Sequence, residues 1–491
     1  MHTSLELATF CKKKGFMYPS SEIYGGLSGF YDYGHLGTRL KHNFEHLWRE
    51  FFLGLNDNFY EIETANIMHE NVFKASGHLE NFIDPIASCK KCGFNDRADH
   101  LLEKHLKKRV EGLSVEEYQT AITQNKIVCP QCKSFLVVSI LNMMFPLQLG
   151  VGKVQTAYLR PETAQSPYVN FKLQYEMLRK KLPLGLALIG RAYRNEISPR
   201  NFTLRQREFV QAELQIFFDP QHPPAERDFA NVKEYTLKTT LLADREKNRV
   251  GEITAQQLVA QGLPEFYVYH LVQIQKFYFQ HLKIPQEKFR FYQLNDKEKA
   301  FYNKYHFDIE VDLAEHGWTE VGGLHYRTDH DLAGHQKISQ QSMEVLDEAT
   351  GKKFIPHVLE LSFGVDRNVY ALLDVNYEMS KERQYVVLHL PPRITPYFCA
   401  VFPLVKNKPE IVALAERIYT EIKKDFSCLY DETAAVGRRY ARADEQGVGY
   451  GITVDFESLQ DQAVTIRNRD STQQERVKIS MLKEKLASLM V

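Results

Sequence analysis

No stretch of this 491-residue sequence approaches the run of about 18 apolar residues that a membrane-crossing helix needs, so the reading is of a chain with no membrane partner. An excess of charge is also missing. The 62 basic residues balance 62 acidic ones, which excludes a global basic field and leaves nucleic-acid binding to local patches. No internal repeat or low-complexity tract interrupts the chain. The opening segment, MHTSLELATFCKKKGFMYPSSE, lacks both the apolar run of a signal peptide and the Arg-rich, acid-free character of a transit peptide. Cysteines are few, and four of the seven fall in two CxxC pairs, which suits metal and not a disulfide framework. A cytoplasmic protein is therefore expected. What the chain does have is core material, 44% hydrophobic and 12% aromatic residues, in a length that suggests two or three domains.

The segment Gly190–Phe218, GRAYRNEISPRNFTLRQREFVQAELQIFF, reads as a hairpin. By the two-residue period of a strand, Ala192, Arg194 and Glu196 share one face of its first arm, and Arg207, Phe209, Gln211 and Glu213 share one face of its second. Val210, Ala212, Leu214, Ile216 and Phe218 form an apolar opposite face. Ser198-Pro199-Arg200-Asn201 supplies a loop too long for a tight turn. Such a hairpin packs on a core and offers cations, carboxylates and one ring on its other side. Arginine forks pair with phosphate oxygens, and Phe209 can carry a base, so ATP fits better than most ligands. A half-solvated hairpin with charged outer residues is the alternative.

Residues 20–52 give a Gly- and Tyr-rich loop and then a helix with Leu36, Leu40, Phe44, Leu47 and Phe51 at helical spacing, serving either the core or a subunit interface. Cys89 and Cys92, then Cys129 and Cys132 after a gap of 36 residues, form two knuckles that together complete a closed tetrahedral zinc site. Unligated or redox-active thiols are the alternative. The gap exceeds the usual spacing, but 97–125 reads as a helical insert able to bring the pairs together. Glu162 and Gln165 follow Arg160-Pro161 at a strand-to-helix junction. Residues 225–310 read as mainly helical. In GWTEVGGLHYRTDHDLAGHQ, Gly322-Gly323 allows close backbone approach, while His325, His330 and His335 stand at spacings that make no regular metal pattern. Residues 354–374 read as a buried strand entering a helix, with Gly364 at the junction and Arg367 able to reach back to a phosphate. Beyond 380 the pattern alternates α and β, with candidate basic patches at 437–442 and at Arg467 and Arg469.

These residues resemble a known family. Arg194-Asn195-Glu196, the loop and Arg207-Glu208-Phe209 resemble the second signature of class II aminoacyl-tRNA synthetases, and Glu360 to Arg367 resembles the third. With LRPETAQ, RTDHDL, GRRYARADE and TIRNRD, the chain is similar along nearly its whole length to the homodimeric, glycine-specific type. The resemblance implies an α+β fold: a class II antiparallel sheet flanked by helices in a catalytic domain over 1–380. That domain would carry a zinc-binding insertion at 89–132 and the helical insertion at 225–310, with a C-terminal α/β anticodon-binding domain over 381–491. Implied partners are tRNA(Gly), glycine and a second copy of the chain.

Carried over by residue, the resemblance implies an ATP site of Arg194, Asn195, Glu196, Leu204, Arg205, Gln206, Arg207, Glu208, Phe209, Glu320, Val321, Gly364, Val365, Asp366 and Arg367. Within it Arg194, Glu196 and Arg367 are the catalytic group. The implied glycine site is Arg97, Glu162, Phe209, Val210, Gln211, Ala212, Glu213, Arg327, Glu360, Leu361, Ser362, Phe363 and Gly364. Magnesium accompanying ATP would meet Glu320 and Glu360, and structural zinc the four cysteines. Two positions depart from the family pattern, His35 and Leu361 each standing where it has proline. The expected reaction is ATP-dependent attachment of glycine to tRNA(Gly) through glycyl-adenylate. A catalytically silent nucleic-acid-binding or polymerase accessory subunit is the alternative.

Overall fold

The computed structural model describes residues 2–107, 110, 113–152, 154–224, 229–300, 302–347 and 350–490. Its centre is a nine-stranded sheet built, in chain order, from β1 (Phe59–Glu61), β2 (Leu184–Tyr193), β3 (Glu208–Phe218), β4 (Thr236–Thr240), β5 (Gly251–Thr254), β6 (Phe289–Gln293), β7 (Tyr305–Leu313), β8 (Gly317–Thr328) and β9 (His357–Gly364). Their spatial order is β5-β4-β6-β7-β8-β9-β3-β2-β1, and the run from β6 to β2 is antiparallel throughout.

Strict alternation gives this sheet two unlike faces. On one face Ala212, Leu214, Ile216, Phe218, Leu324, Leu361 and Phe363 join the main core. Helix α1 (His35–Leu53) lies against that core with Leu36, Leu40, Phe44, Leu47, Trp48 and Phe52 buried, so its apolar stripe serves the core. Helix α2 (Glu265–Lys276) and helix α3 (Val365–Val375) complete the layer. The other face carries a smaller apolar cluster that includes Leu184, Leu186, Phe217 and Val358, and beside it the polar side chains that build the site.

The α+β architecture agrees with expectation, and three boundaries are corrected. The hairpin's first arm begins at Leu184 and ends at Tyr193, so Arg194 and Glu196 leave the strand and enter the loop. Segment 225–310 is mixed, not mainly helical: β4, β5, β6 and the start of β7 extend the sheet beside α2. Residues 225–228 and 301 of that segment lie outside the described residues. The first core also continues past 381, since Val386, Leu388, Leu390 and Ile394 belong to it and Phe398 opens the second. Tyr385–Leu388 pairs with Tyr377–Ser380, not with the C-terminal sheet.

That C-terminal sheet has five strands, in the order Cys428–Tyr430, Cys399–Pro403, Tyr450–Val454, Ala463–Asn468 and Gln474–Lys478. The insertion holds a three-stranded sheet (Asn95–Arg97, Ile83–Ser88, Val137–Asn142) and the helices Ala98–Leu106 and Val115–Gln124, the second opened by a Ser114/Glu117 capping box. Of the replaced prolines, His35 opens α1 with its ring against Gly15, and Leu361 is a buried mid-strand residue. Among the described residues no helix is long and apolar enough to cross a membrane.

Candidate active site

Register across β3, β9 and β8 sets the site in rows. Glu213 on β3 faces Ser362 on β9, which faces Gly323 on β8. One step along, Gln215, Glu360 and His325 form the next row. These positions share the sheet's polar face because each is two residues from the last.

Over the open end of the sheet is a cleft lined by Arg194, Glu196, Leu204, Arg205, Gln206, Phe209, Val210, Gln211, Glu320, Val321, Ser362, Gly364, Asp366 and Arg367, all expected site residues. Gly322, read as a point of close backbone approach, also lines it, and so does Thr203, which was not anticipated. The Arg194 guanidinium is held between two rings, 5.2 Å from the Phe209 centroid and 5.4 Å from that of Phe82, and its Nε donates to the Pro161 carbonyl at 3.0 Å. Arg367 donates to the carbonyls of Leu204 and Glu320, each at 3.1 Å, and lies 3.2 Å from the Glu320 carboxylate. Asp366 accepts from the Val210 amide at 2.6 Å and from the Tyr33 hydroxyl, which ties α3 to β3. Arg205 Nη1 and Glu196 Oε2 are buried without a hydrogen-bond partner in this cleft. The open guanidinium N–H suits an anionic oxygen, and the open carboxylate oxygen suits a donor or a cation.

Beneath the cleft lies a buried carboxylate cluster. Glu360 Oε2 accepts from Arg327 Nη1 at 2.9 Å, Gln215 Nε2 at 2.9 Å and Tyr168 OH at 3.3 Å, while Oε1 accepts from His325. Burial pushes this carboxyl up, but Arg327 and His325 outweigh it and hold it at about 2. Arg327 also donates to Asp331 and reaches Glu162, whose Oε1 accepts from Gln165 at 2.9 Å. Glu213 accepts its hydrogen bonds from neutral groups, Ser362 Oγ and Gln215 Nε2. Burial first, then the charges of Glu360 and Glu162, raise it to about 8. Ser362 lines the cleft and donates to Glu213, linking cleft and cluster.

Several expected residues fall elsewhere. Arg97 does not line the cleft, because its fork is taken by Asp84 at 2.7 Å and by Asp99. Arg207 staples the loop by donating to the Glu196 carbonyl at 2.9 and 3.1 Å and to the Ser28 carbonyl, so it does not face the cleft. Glu208 pairs with Arg191 at 2.9 Å, and the Asn195 amide donates to the Met143 carbonyl. Ala212, Leu361, Phe363 and Val365 point into the core, opposite the site. Glu320 and Glu360 cannot share one magnesium ion: Glu360 pairs with His325, five residues along β8 from Glu320, a span of roughly 16 Å at 3.3 Å per residue. Glu360 is moreover committed to Arg327 and His325. Tyr168 and Gln215 were missed, being neutral and ordinary in sequence, whereas Asp331 and His325 were noticed, as a charge in RTDHDL and as an irregular histidine, without these roles, which come only from strand register and helix docking.

The four cysteine sulfurs lie within 4.8 Å of one another, with Cys89–Cys132 at 3.4 Å and Cys92–Cys129 at 3.5 Å. Tetrahedral zinc with bonds of about 2.3 Å separates its sulfurs by about 3.8 Å, so the donor set fits. His325, His330 and His335 do not converge: they meet Glu360, Tyr302 and Gln165 respectively. The C-terminal basic patches are largely not surface features. Arg439, Arg467 and Arg469 are buried, and Arg442 pairs with Asp431.

Comparison with known proteins adds two findings. Residues 399–489 match the family described as the anticodon binding domain. The chain is 38% identical, over an alignment of 567 residues covering 98% of both chains, to the glycine--tRNA ligase of Pyrococcus horikoshii. It is 36% identical to that of Methanothermobacter thermautotrophicus, again with 98% of both chains covered.

Proposed function

The chain belongs to the glycine–tRNA ligase family, and from that premise we propose that it joins glycine to tRNA(Gly) through a glycyl-adenylate made from ATP in the cleft. The observation that carries this reading is the Ser362–Glu213 contact, which sets a polar cleft lined by Arg194, Arg205 and Arg367 directly against a buried carboxylate cluster.

In this reading Phe209 lies against adenine, Arg194 meets the α-phosphate, and Arg205 and Arg367 take the outer phosphates. The glycine carboxylate attacks the α-phosphorus and pyrophosphate leaves. A ribose hydroxyl at the tRNA 3′ end then attacks the activated carbonyl, and AMP leaves. Neither step needs a protein nucleophile, so the side chains position groups and neutralise charge. Glu320, half exposed at the rim, is the carboxylate available to magnesium, which would neutralise the phosphates. The glycine ammonium would sit among Glu162, Glu213, Glu360 and Ser362. A lost methyl is worth only about 1–3 kcal/mol in an apolar pocket, so excluding alanine calls for a wall of this polar kind. Residues 399–489 would bind the anticodon, the cysteines one structural zinc, and exposed Ile23, Tyr24 and Leu27 would serve a homodimer contact.

ATP–pyrophosphate exchange with a panel of amino acids tests the proposal. Exchange that depends on glycine and not on alanine or serine is expected. No exchange with any amino acid would leave a silent binding subunit, and exchange with another amino acid would reassign the pocket.

A further inference from the structure

His325 was given no part in holding ATP or glycine, yet it is the single described side chain that bonds Glu360 Oε1. Three donors converge on Oε2, so that oxygen keeps its place if any one of them is lost. Oε1 depends on the imidazole alone. Rotation about the last torsion of a glutamate is soft, so this one bond decides which way the carboxylate plane turns.

The imidazole is itself held. A side chain at Gly323, two residues back on the same face of β8, would collide with its Nε2 edge. His306 packs edge-on against it with ring centroids 4.2 Å apart, and His306 Nε2 is fixed by Asp308 Oδ1 at 2.9 Å. With Nε2 over a glycine and β7 behind it, the ring directs Nδ1–H at the carboxylate. Sheet order makes this a through-strand device, from Asp308 and His306 on β7 through His325 on β8 to Glu360 on β9.

We propose that His325 is a positioning residue for glycine activation, whose Nδ1–H sets the orientation in which Glu360 presents its charge to the glycine ammonium. The inference rests on the glycine reading of the pocket, and its test separates the two.

ATP–pyrophosphate exchange is compared among the unaltered chain, His325→Ala, His325→Asn and His325→Gln. The asparagine amide nitrogen falls near the position of Nδ1, whereas that of glutamine is displaced toward Nε2. In His325→Ala the KM for glycine should rise about tenfold, with kcat and the KM for ATP changed less than about threefold. His325→Asn should recover most of the loss, and His325→Gln should not. A glycine KM unchanged in His325→Ala, or equal losses in the asparagine and glutamine variants, would overturn the proposal. So would a parallel rise in the KM for ATP, which marks a merely structural role. Should His325→Ala fail to fold, the asparagine–glutamine comparison decides alone. Absence of exchange by the unaltered chain overturns the glycine reading, and the inference with it.

Discussion

Ser362 donates its hydroxyl hydrogen to Glu213 Oε1 at 2.9 Å, across the β9–β3 pair. This bond joins an exposed cleft to a carboxyl that burial and two neighbouring carboxylates raise to about 8. Near neutral pH Glu213 therefore carries a proton in the free protein. An ammonium placed against it favours the ionised form, so glycine binding should expel that proton and tighten as pH rises toward 8. Calorimetry in buffers of different ionisation enthalpy should show release of up to one proton. The linkage to stability has the opposite sense. A carboxyl whose pKa is raised from 4.5 to about 8 on folding contributes stability that is complete below 4.5 and lost as pH rises through about 8. Glu213→Gln should thus gain in melting temperature relative to the unaltered chain as pH increases, while losing glycine-dependent exchange. A buffer-independent binding enthalpy would contradict the assignment.

The open atoms of the cleft make a second expectation. Arg205 Nη1 and Glu196 Oε2 are buried without partners, and their side chains approach to 3.7 Å. A phosphate oxygen would satisfy the guanidinium, and the charge-assisted bond is worth about 1.5–3 kcal/mol. Arg205→Ala should raise the KM for ATP at least about tenfold and leave the KM for glycine close to its starting value, as read by exchange at varied ATP. Arg207→Ala should behave differently. Because Arg207 holds the Glu196 and Ser28 carbonyls, its loss should lower thermal stability of the loop region along with activity.

How much of this was legible in the sequence depends on whether a residue's role is local. The two faces of β3 could be read from period two, and the zinc knuckles from CxxC spacing. The helix stripe from Leu36 to Phe51 was equally local, although at its end Phe52, not Phe51, is the fully buried ring. Arg97 and Arg207 misled because an arginine fork can be taken by nearby carboxylates or by loop carbonyls, and sequence does not say which. Leu361 and Phe363 lay inside a matched motif but on its core side. The segment 225–310 misled for another reason: Phe266 to Gln275 is buried all round, so α2 has no polar stripe, and its aromatic character was extended over neighbouring strands. His306–Leu313 in fact shows strict alternation of burial, a strand signal that could have been found. Gln215 carried no signal, and the roles of Asp331 and His325 were hidden, since each finds a partner more than 30 residues away through sheet register or helix docking.

Asp444 concentrates the contact between the C-terminal sheet and the first core. It is buried and accepts from Arg467 at 2.9 and 3.1 Å, from Arg383 at 3.1 Å and from Tyr385 at 3.0 Å. Arg467 belongs to the C-terminal strand Ala463–Asn468, whereas Arg383 and Tyr385 belong to the hairpin that ends the first core. Removing one partner of a buried pair costs about 3–5 kcal/mol, since the remaining charge loses compensation. Arg467→Ala should lower stability by about that amount in denaturant unfolding. Glycine-dependent exchange should persist below the new midpoint while tRNA charging falls, because only charging needs the anticodon-binding region in place. An unchanged midpoint would show that Arg383 alone suffices for Asp444.

The four-cysteine insertion reaches the cleft through its roots. Phe82, just before the strand Ile83–Ser88, stacks on Arg194, and Met143, just after Val137–Asn142, accepts from the Asn195 amide at 2.8 Å. A four-cysteine site is closed and does no chemistry, but it holds the small core of Ala87, Ala98, Leu102, Tyr118 and Ile122 together. Without metal, four thiols crowded within 4.8 Å lose the charge that organises them, and the two root strands lose their anchor. The effect should therefore appear at Arg194 and not at Glu213. Elemental analysis should find one zinc per chain, and Cys92→Ser or chelation should remove it. Exchange by the metal-free protein should show a KM for ATP raised several-fold with the KM for glycine nearly unchanged. Equal rises in both would mean that zinc supports the whole domain, and no rise in either would detach the insertion from the cleft.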